Sequence, residues 1–277
     1  MSTGPHHIKI FHSTRLQSRR ALADLMAGSR LWRLWLMLGW LDIRQRYRRA
    51  MIGPFWITIS MIVMIGSMGV LYSSLFGVDI NQFIPFLAAG FCVWFLISST
   101  ITEGANLFIQ AEDIIRNADV PVGIHVFRLL WRNIIVFGHN AVVMLPVYVF
   151  FRLNPGAALL LEPVGIFIVL VNLAGLAVLV GSVCTRFRDA PPIVGNLVQI
   201  AFFVSPVMYK PDLLMGKLKA FAVLNPFYYL LEVMRGPLLG VVPSARIYSV
   251  LLAITFVNLT VSFLFYRRFR SRIAYWL

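Results

Sequence analysis

Apolar residues fall in six long runs that carry no Asp, Glu, Lys or Arg: 51–78, 84–102, 133–151, 163–185, 190–209 and 247–266. Each holds roughly 19 residues or more, the length at which an α-helix crosses about 30 Å of hydrocarbon. Backbone groups in lipid can bond only to one another, so such runs predict helices and not open strands. The pattern predicts an all-α integral membrane fold with six transmembrane helices, spanning about 51–78, 84–104, 131–151, 163–185, 190–209 and 246–267.

Three segments depart from this alternation. The first, 31–50, is rich in Leu and carries Trp32, Trp35 and Trp40, but Arg33 and Asp42 interrupt it. It ends in Arg44, Arg46, Tyr47, Arg48 and Arg49. Tryptophans and a basic end suit an amphipathic helix lying in the membrane interface. A cytoplasmic extension of the first span is the other reading. Gly53-Pro54 then breaks or kinks the entry to that span. The second, 105–132, is a long connection whose middle, 106–117, has helical amphipathic character and stops at Val120-Pro121. It reads either as a docking helix or as a solvated link. The third, 210–246, contains Leu224-Asn225-Pro226-Phe227-Tyr228-Tyr229-Leu230-Leu231, apolar but too short to span. It fits a re-entrant helix or one resting on the membrane surface.

Charge sets the orientation. The net charge is +14, and 59% of residues are hydrophobic. Arginines cluster at Arg44 to Arg49, at Arg116, Arg128 and Arg132, at Arg186 and Arg188, and at Arg267 to Arg272. These lie on one side if the six helices cross in turn, the positive-inside pattern, which puts both termini in the cytoplasm. Anionic lipid contact accounts for this distribution, and nucleic-acid binding is not expected. The stretch 1–30 has no apolar core of its own, so it reads as a cytoplasmic tail and not a cleavable signal. The region 31–277 is then a single membrane domain.

Catalytic chemistry is sparse. Cys92 and Cys184 lie in apolar runs and read as packing residues. His139 is the one titratable histidine within a run and has no acidic or Cys neighbour. No metal-ligand spacing is present, and Gly216-Lys217 lacks the rest of a phosphate-binding loop. The chain is therefore not expected to hydrolyse ATP. Spans without buried carboxylates also argue against ion-coupled transport. Aromatics are abundant near the ends of the runs: Trp56, Tyr72, Phe91, Trp94, Phe95, Phe203, Tyr209, Phe227 and Tyr228. They form either an interfacial belt or the lining of a pathway.

Three motifs in order carry a resemblance. Arg46-Tyr47, Ala50, Gly53 and Trp56 fit a basic Arg-Tyr-x-x-small-x-x-Gly-x-x-Trp entry run. Ser205-Pro206-Val207-Met208-Tyr209 follows at the end of the fifth run, and Leu224-Asn225-Pro226-Phe227 with Glu232 and Arg235-Gly236 comes before the sixth. The whole chain resembles the permease subunit of ABC-2 type polysaccharide exporters.

That resemblance implies a homodimer with two copies of a separate ABC ATPase, which binds ATP and Mg; no cofactor or metal is expected in this chain. It implies short re-entrant periplasmic helices before the last span and an inner-membrane location. The ATPase-coupling element would be Gln110, Glu112, Asp113, Arg116, Asp119 and Pro121, with Arg186, Arg188 and Asp189 as a second contact. The entrance for an undecaprenyl-pyrophosphate-linked glycan would be Arg44, Arg46, Tyr47, Arg48 and Arg49, since arginine pairs well with phosphate. The aromatics would line the channel. O-antigen is the expected cargo; capsule, teichoic acid or a small drug or lipid are the alternatives.

Overall fold

The computed structural model describes residues 14–48, 55–211 and 214–277. Arg49, the Gly53-Pro54 kink and residues 1–13 of the tail lie outside them. Every element among the described residues is helical. In order they are α1 (Thr14–Arg30), α2 (Trp32–Tyr47), α3 (Phe55–Phe76), α4 (Ile80–Ala105), α5 (Glu112–Asn117), α6 (Ile124–Ala141), α7 (Met144–Phe150), α8 (Glu162–Arg186), α9 (Ala190–Val204), α10 (Gly216–Leu224), α11 (Pro226–Leu238) and α12 (Ala245–Trp276). Short 3₁₀ turns at Ile109–Ala111 and Gly156–Leu161 precede α5 and α8.

Five helical stretches are long and apolar enough to cross a bilayer: Phe55–Leu75, Ile80–Ala105, Ile124–Phe150, Gly156–Arg186 and Ala245–Trp276. Several helices of this length and polarity mark a multi-pass membrane protein. The fifth predicted run behaves differently. Its helix, α9, ends at Val204 after 15 residues, about 22 Å at 1.5 Å per residue. Ser205 is extended, with ψ 147°, and Pro206 has no N–H with which to resume the ladder. The chain then folds back until Val207 O lies 2.7 Å from where a Cβ on Gly90 would stand. Position 90 therefore holds the backbone of α4 against the turn that follows α9.

α4 is the central helix. It packs against α3, α6, α8, α9 and α11, and its buried face runs from Phe83 to Ala105 almost without interruption. Asp79 caps it by accepting from Asn81 N at 3.0 Å. α4 and α8 meet through small residues: a Cβ on Gly181 would lie 2.8 Å from Gly104 O, and one on Gly104 3.0 Å from the Ala177 Cβ. Small side chains let helix backbones approach closely in membranes, where packing replaces the hydrophobic drive. α3 and α12 instead expose Val63, Val70, Leu71, Phe256 and Val257. In water such faces would aggregate; against lipid they are at home.

The third span starts earlier than its charge-free run. α6 begins at Ile124, which places Arg128 and Arg132 on the helix itself. α6 and α7 are separated by i→i−3 bonds from Val142, Val143 and Leu145. Pro146 explains this, because its ring clashes with the carbonyl four residues earlier. The second half of the predicted tail is also ordered. α1 docks on α6 and α12 through buried Asp24, which accepts from Gly123 N at 2.9 Å, Tyr266 OH at 2.5 Å and Arg270 Nη2 at 2.6 Å. A tail reading from composition could not see these long-range partners.

α11 is buried among α4, α8 and α12. Asn225 caps it, accepting from Phe227 N at 2.9 Å and donating to Ser205 Oγ at 2.9 Å. Pro226 occupies its first turn, where no intrahelical N–H is needed.

Candidate functional site

One end of the molecule gathers α1, α2, α5, the α8–α9 corner and the end of α12. Its centre is an ionic joint. Asp42 of α2 accepts from Arg128 Nε and Nη2 at 2.7 and 2.5 Å and from Arg132 Nη1 at 3.1 Å. Glu103 of α4 accepts from Arg132 Nη2 at 2.8 Å, Arg46 Nη2 at 2.7 Å and Asn133 Nδ2 at 2.8 Å. Two carboxylates thus sit among three guanidiniums and bind α2, α4 and α6 together. Asp42, Glu103 and Arg132 are largely buried, at 14%, 19% and 11% side-chain exposure, so the pairs are poorly screened. Burial works against the charge of Arg46, but Glu103 and Tyr47 outweigh it and hold the guanidinium above its ordinary value. Burial likewise raises the Tyr47 phenol.

The basic end of α2 is divided between two faces. Arg46 pairs with Glu103, although 42% of its side chain stays exposed. Arg44 and Arg48, four residues apart and so on one face, are exposed. With Leu41 and Gln45 they line a recess of about 320 Å³. The other face of α2 packs on α6: Trp35 stacks on Phe127 with ring centroids 6.0 Å apart and meets Trp131 edge-on at 6.3 Å.

The two predicted coupling elements lie side by side. Glu112 pairs with Arg116 at 3.1 Å and with Arg188 at 3.4 Å. Arg188 also donates to Leu277 O at 2.6 Å. Arg186 lies over the Phe187 and Trp276 rings at 5.4 and 5.5 Å. Gln110, Asp113, Asp119 and Asp189 are exposed around this contact, and Pro121 is half-buried.

The aromatics separate into three environments. Phe91 and Trp94 are buried at 5% and 6% exposure. Both rings meet Phe202, at 5.6 and 5.7 Å, and Trp94 also meets Phe227 at 5.6 Å. Trp56 and Phe203 are exposed. Tyr72, Phe95, Tyr209, Phe227 and Tyr228 are half-buried, and Tyr209 donates to Val204 O at 2.8 Å. Phe202 is the hub of the buried set.

The ionic joint was the feature that residue patterns did not assemble. Its signals were present one at a time: Asp42 interrupting an apolar helix, Glu103 closing a span, and Arg128 and Arg132 at i and i+4. His125 was also missed. It is buried beside Arg128 on a cavity of about 30 Å³ that Glu103 and Arg132 share, room for about one water.

Several membrane-length apolar helices braced at one charged end make the body of a multi-pass membrane protein. Residues 33–239 match the ABC-2 type transporter family, and the chain belongs to that family as a permease subunit. It is 26% identical over 176 residues to the O-antigen export system permease protein RfbA of Myxococcus xanthus, covering 61% of this chain and 65% of that relative. The chain thus spans just under two-thirds of the Myxococcus protein's length. It is 22% identical over 190 residues to the protein of the same name from Klebsiella pneumoniae, covering 67% of this chain and 72% of that relative.

Proposed function

We propose that this chain forms the channel of an ATP-driven exporter that moves undecaprenyl-pyrophosphate-linked O-antigen from the cytoplasm to the periplasm. The observation that carries the reading is that two relatives from different genera, matched over 61% and 67% of this chain, are both named O-antigen export permeases. The exposed Arg44–Arg48 recess agrees with it, since paired guanidiniums suit a pyrophosphate.

In this reading the arginine-rich end is cytoplasmic, both termini lie inside, and the membrane is the inner membrane. Two copies pair to enclose the channel. Two ATPase subunits, which bind ATP and Mg, dock on α5 and the α8–α9 corner. Closure of the ATPases pushes on α5. The Glu112–Arg188 contact passes the push to α8, the Gly104–Gly181 seam to α4, and the Glu103–Arg46 pair to α2 at the entrance. The glycan slides on ring faces: Trp56 and Phe203, with Tyr72, Phe95, Tyr209, Phe227 and Tyr228 beside them. Phe91 and Trp94 back these rings from within the protomer.

Deleting the gene tests the cargo. Surface O-antigen is expected to disappear while undecaprenyl-linked glycan accumulates inside the cell. A normal surface coat with no stalled intermediate would overturn the proposal.

A further inference from the structure

The end of the molecule away from the ionic joint carries a second basic cleft. Two cavities of about 390 and 520 Å³ share Phe86, Lys210 and Glu232. The first reaches Arg246 and the rings of Tyr228 and Tyr229. The second reaches Arg235. They are formed where α4, α11 and the start of α12 converge with the chain that leaves α9.

The charges in this cleft do not cancel. Among the described residues Glu232 is the one acid that lines it, and it is taken by Arg235. Arg235 is almost wholly buried, donates from Nη1 to Pro206 O at 2.7 Å, and lies 4.1 Å above the Phe86 ring. Its position is fixed and its charge is met. Lys210 and Arg246 are different. Both are exposed on the cleft, and among the described residues neither has a carboxylate within ion-pair distance. Lys210 sits 5.6 Å from the Phe86 ring centroid. A concave site with an excess of one sign of charge focuses its field on a counter-ion.

Depth indicates which anion. Arg246 is the second residue of α12, immediately before the apolar run that begins at Ile247. Lys210 follows the end of apolar α9 by six residues. Both cations therefore stand where apolar helices leave the hydrocarbon, with tyrosines beside them, as in the headgroup layer of a bilayer. The anions at that level are lipid phosphates, and lysine and arginine both bind phosphate.

We infer that the Lys210–Arg246 cleft binds the phosphate of a lipid at the face opposite the ATPase. Its placement on the periplasmic side rests on the orientation proposed above; the cleft chemistry does not. Two sources share this chemistry: a resident phospholipid headgroup and the diphosphate of the exported carrier.

The test is titration of the full-length chain, purified with its ATPase, with dioctanoyl phosphatidylglycerol. Dioctanoylglycerol and inorganic pyrophosphate are titrated in parallel. Wild type is expected to bind the phospholipid well above the diacylglycerol. The K210Q/R246Q variant is expected to lose at least tenfold in affinity, and K210R/R246K to keep it. Both variants are exposed-residue changes, and equal thermal midpoints establish that they fold. Competition by pyrophosphate points to the carrier diphosphate; no competition points to a resident headgroup. Unchanged affinity in K210Q/R246Q overturns the inference, as does a loss confined to R44Q/R48Q. Normal O-antigen export after gene deletion would overturn the export reading while leaving this titration intact.

Discussion

Replacing Asp42 with alanine is expected to destabilise the protein by about 3 kcal/mol, the usual cost of stripping one partner from a buried ion pair. The reason is specific to this joint. Among the described residues Asp42 is the sole carboxylate contacting Arg128 and the second one contacting Arg132. Its loss leaves the half-buried Arg128 with nothing opposite and removes the ionic tie of α2 to the base of α6. Asp42→Glu keeps the charge and should lose much less. Thermal unfolding of the purified proteins measures the difference. If Asp42→Ala melts with the wild type, the joint does not hold α2, and the proposed route from ATPase to entrance loses its last link.

Gly181→Leu is expected to be the most damaging single change in the membrane body. A Cβ at this position already meets Gly104 O at 2.8 Å, with Leu107 and Phe108 at 3.3 and 3.4 Å. The nearest obstacle is backbone, which cannot swing aside. A leucine must push α8 off α4, at a cost of about 3 kcal/mol or more from overpacking. Gly66→Ala is the contrast. Nothing lies within 4 Å of its Cβ, and helix propensity favours alanine by about 1 kcal/mol. Stability should fall sharply in the first and hold or rise in the second. Equal melting of the two variants would mean that α4 and α8 do not pack as described.

Much of the fold was legible because lipid imposes strict rules. Length and lack of charge located the main helices, and the dense arginines marked one end. What was not legible depends on contacts between distant positions. The fifth run looked like one continuous helix because composition carries no trace of the turn that brings Val207 onto Gly90. That residues 14–30 form a docked helix was not legible, because Asp24 reads as one isolated acid until Tyr266 and Arg270 come beside it. The basic cluster on α2 looked uniform, yet helical periodicity combined with the position of Glu103 gives Arg46 a carboxylate partner and sets Arg44 and Arg48 on the recess. The aromatic set was visible as a set. Which rings are buried depends on Phe202, whose neighbours Phe91 and Trp94 lie over a hundred positions away.

The most direct measurement is transport in sealed vesicles rebuilt from this chain, its ATPase and undecaprenyl-linked O-antigen facing outward. With the ATPase side exposed to the medium, added ATP should move glycan into the lumen, where an added glycosidase cannot reach it. Protection should require the chain, the ATPase and ATP hydrolysis together. Glycan that stays fully cleavable while ATP is being hydrolysed would contradict export through this permease.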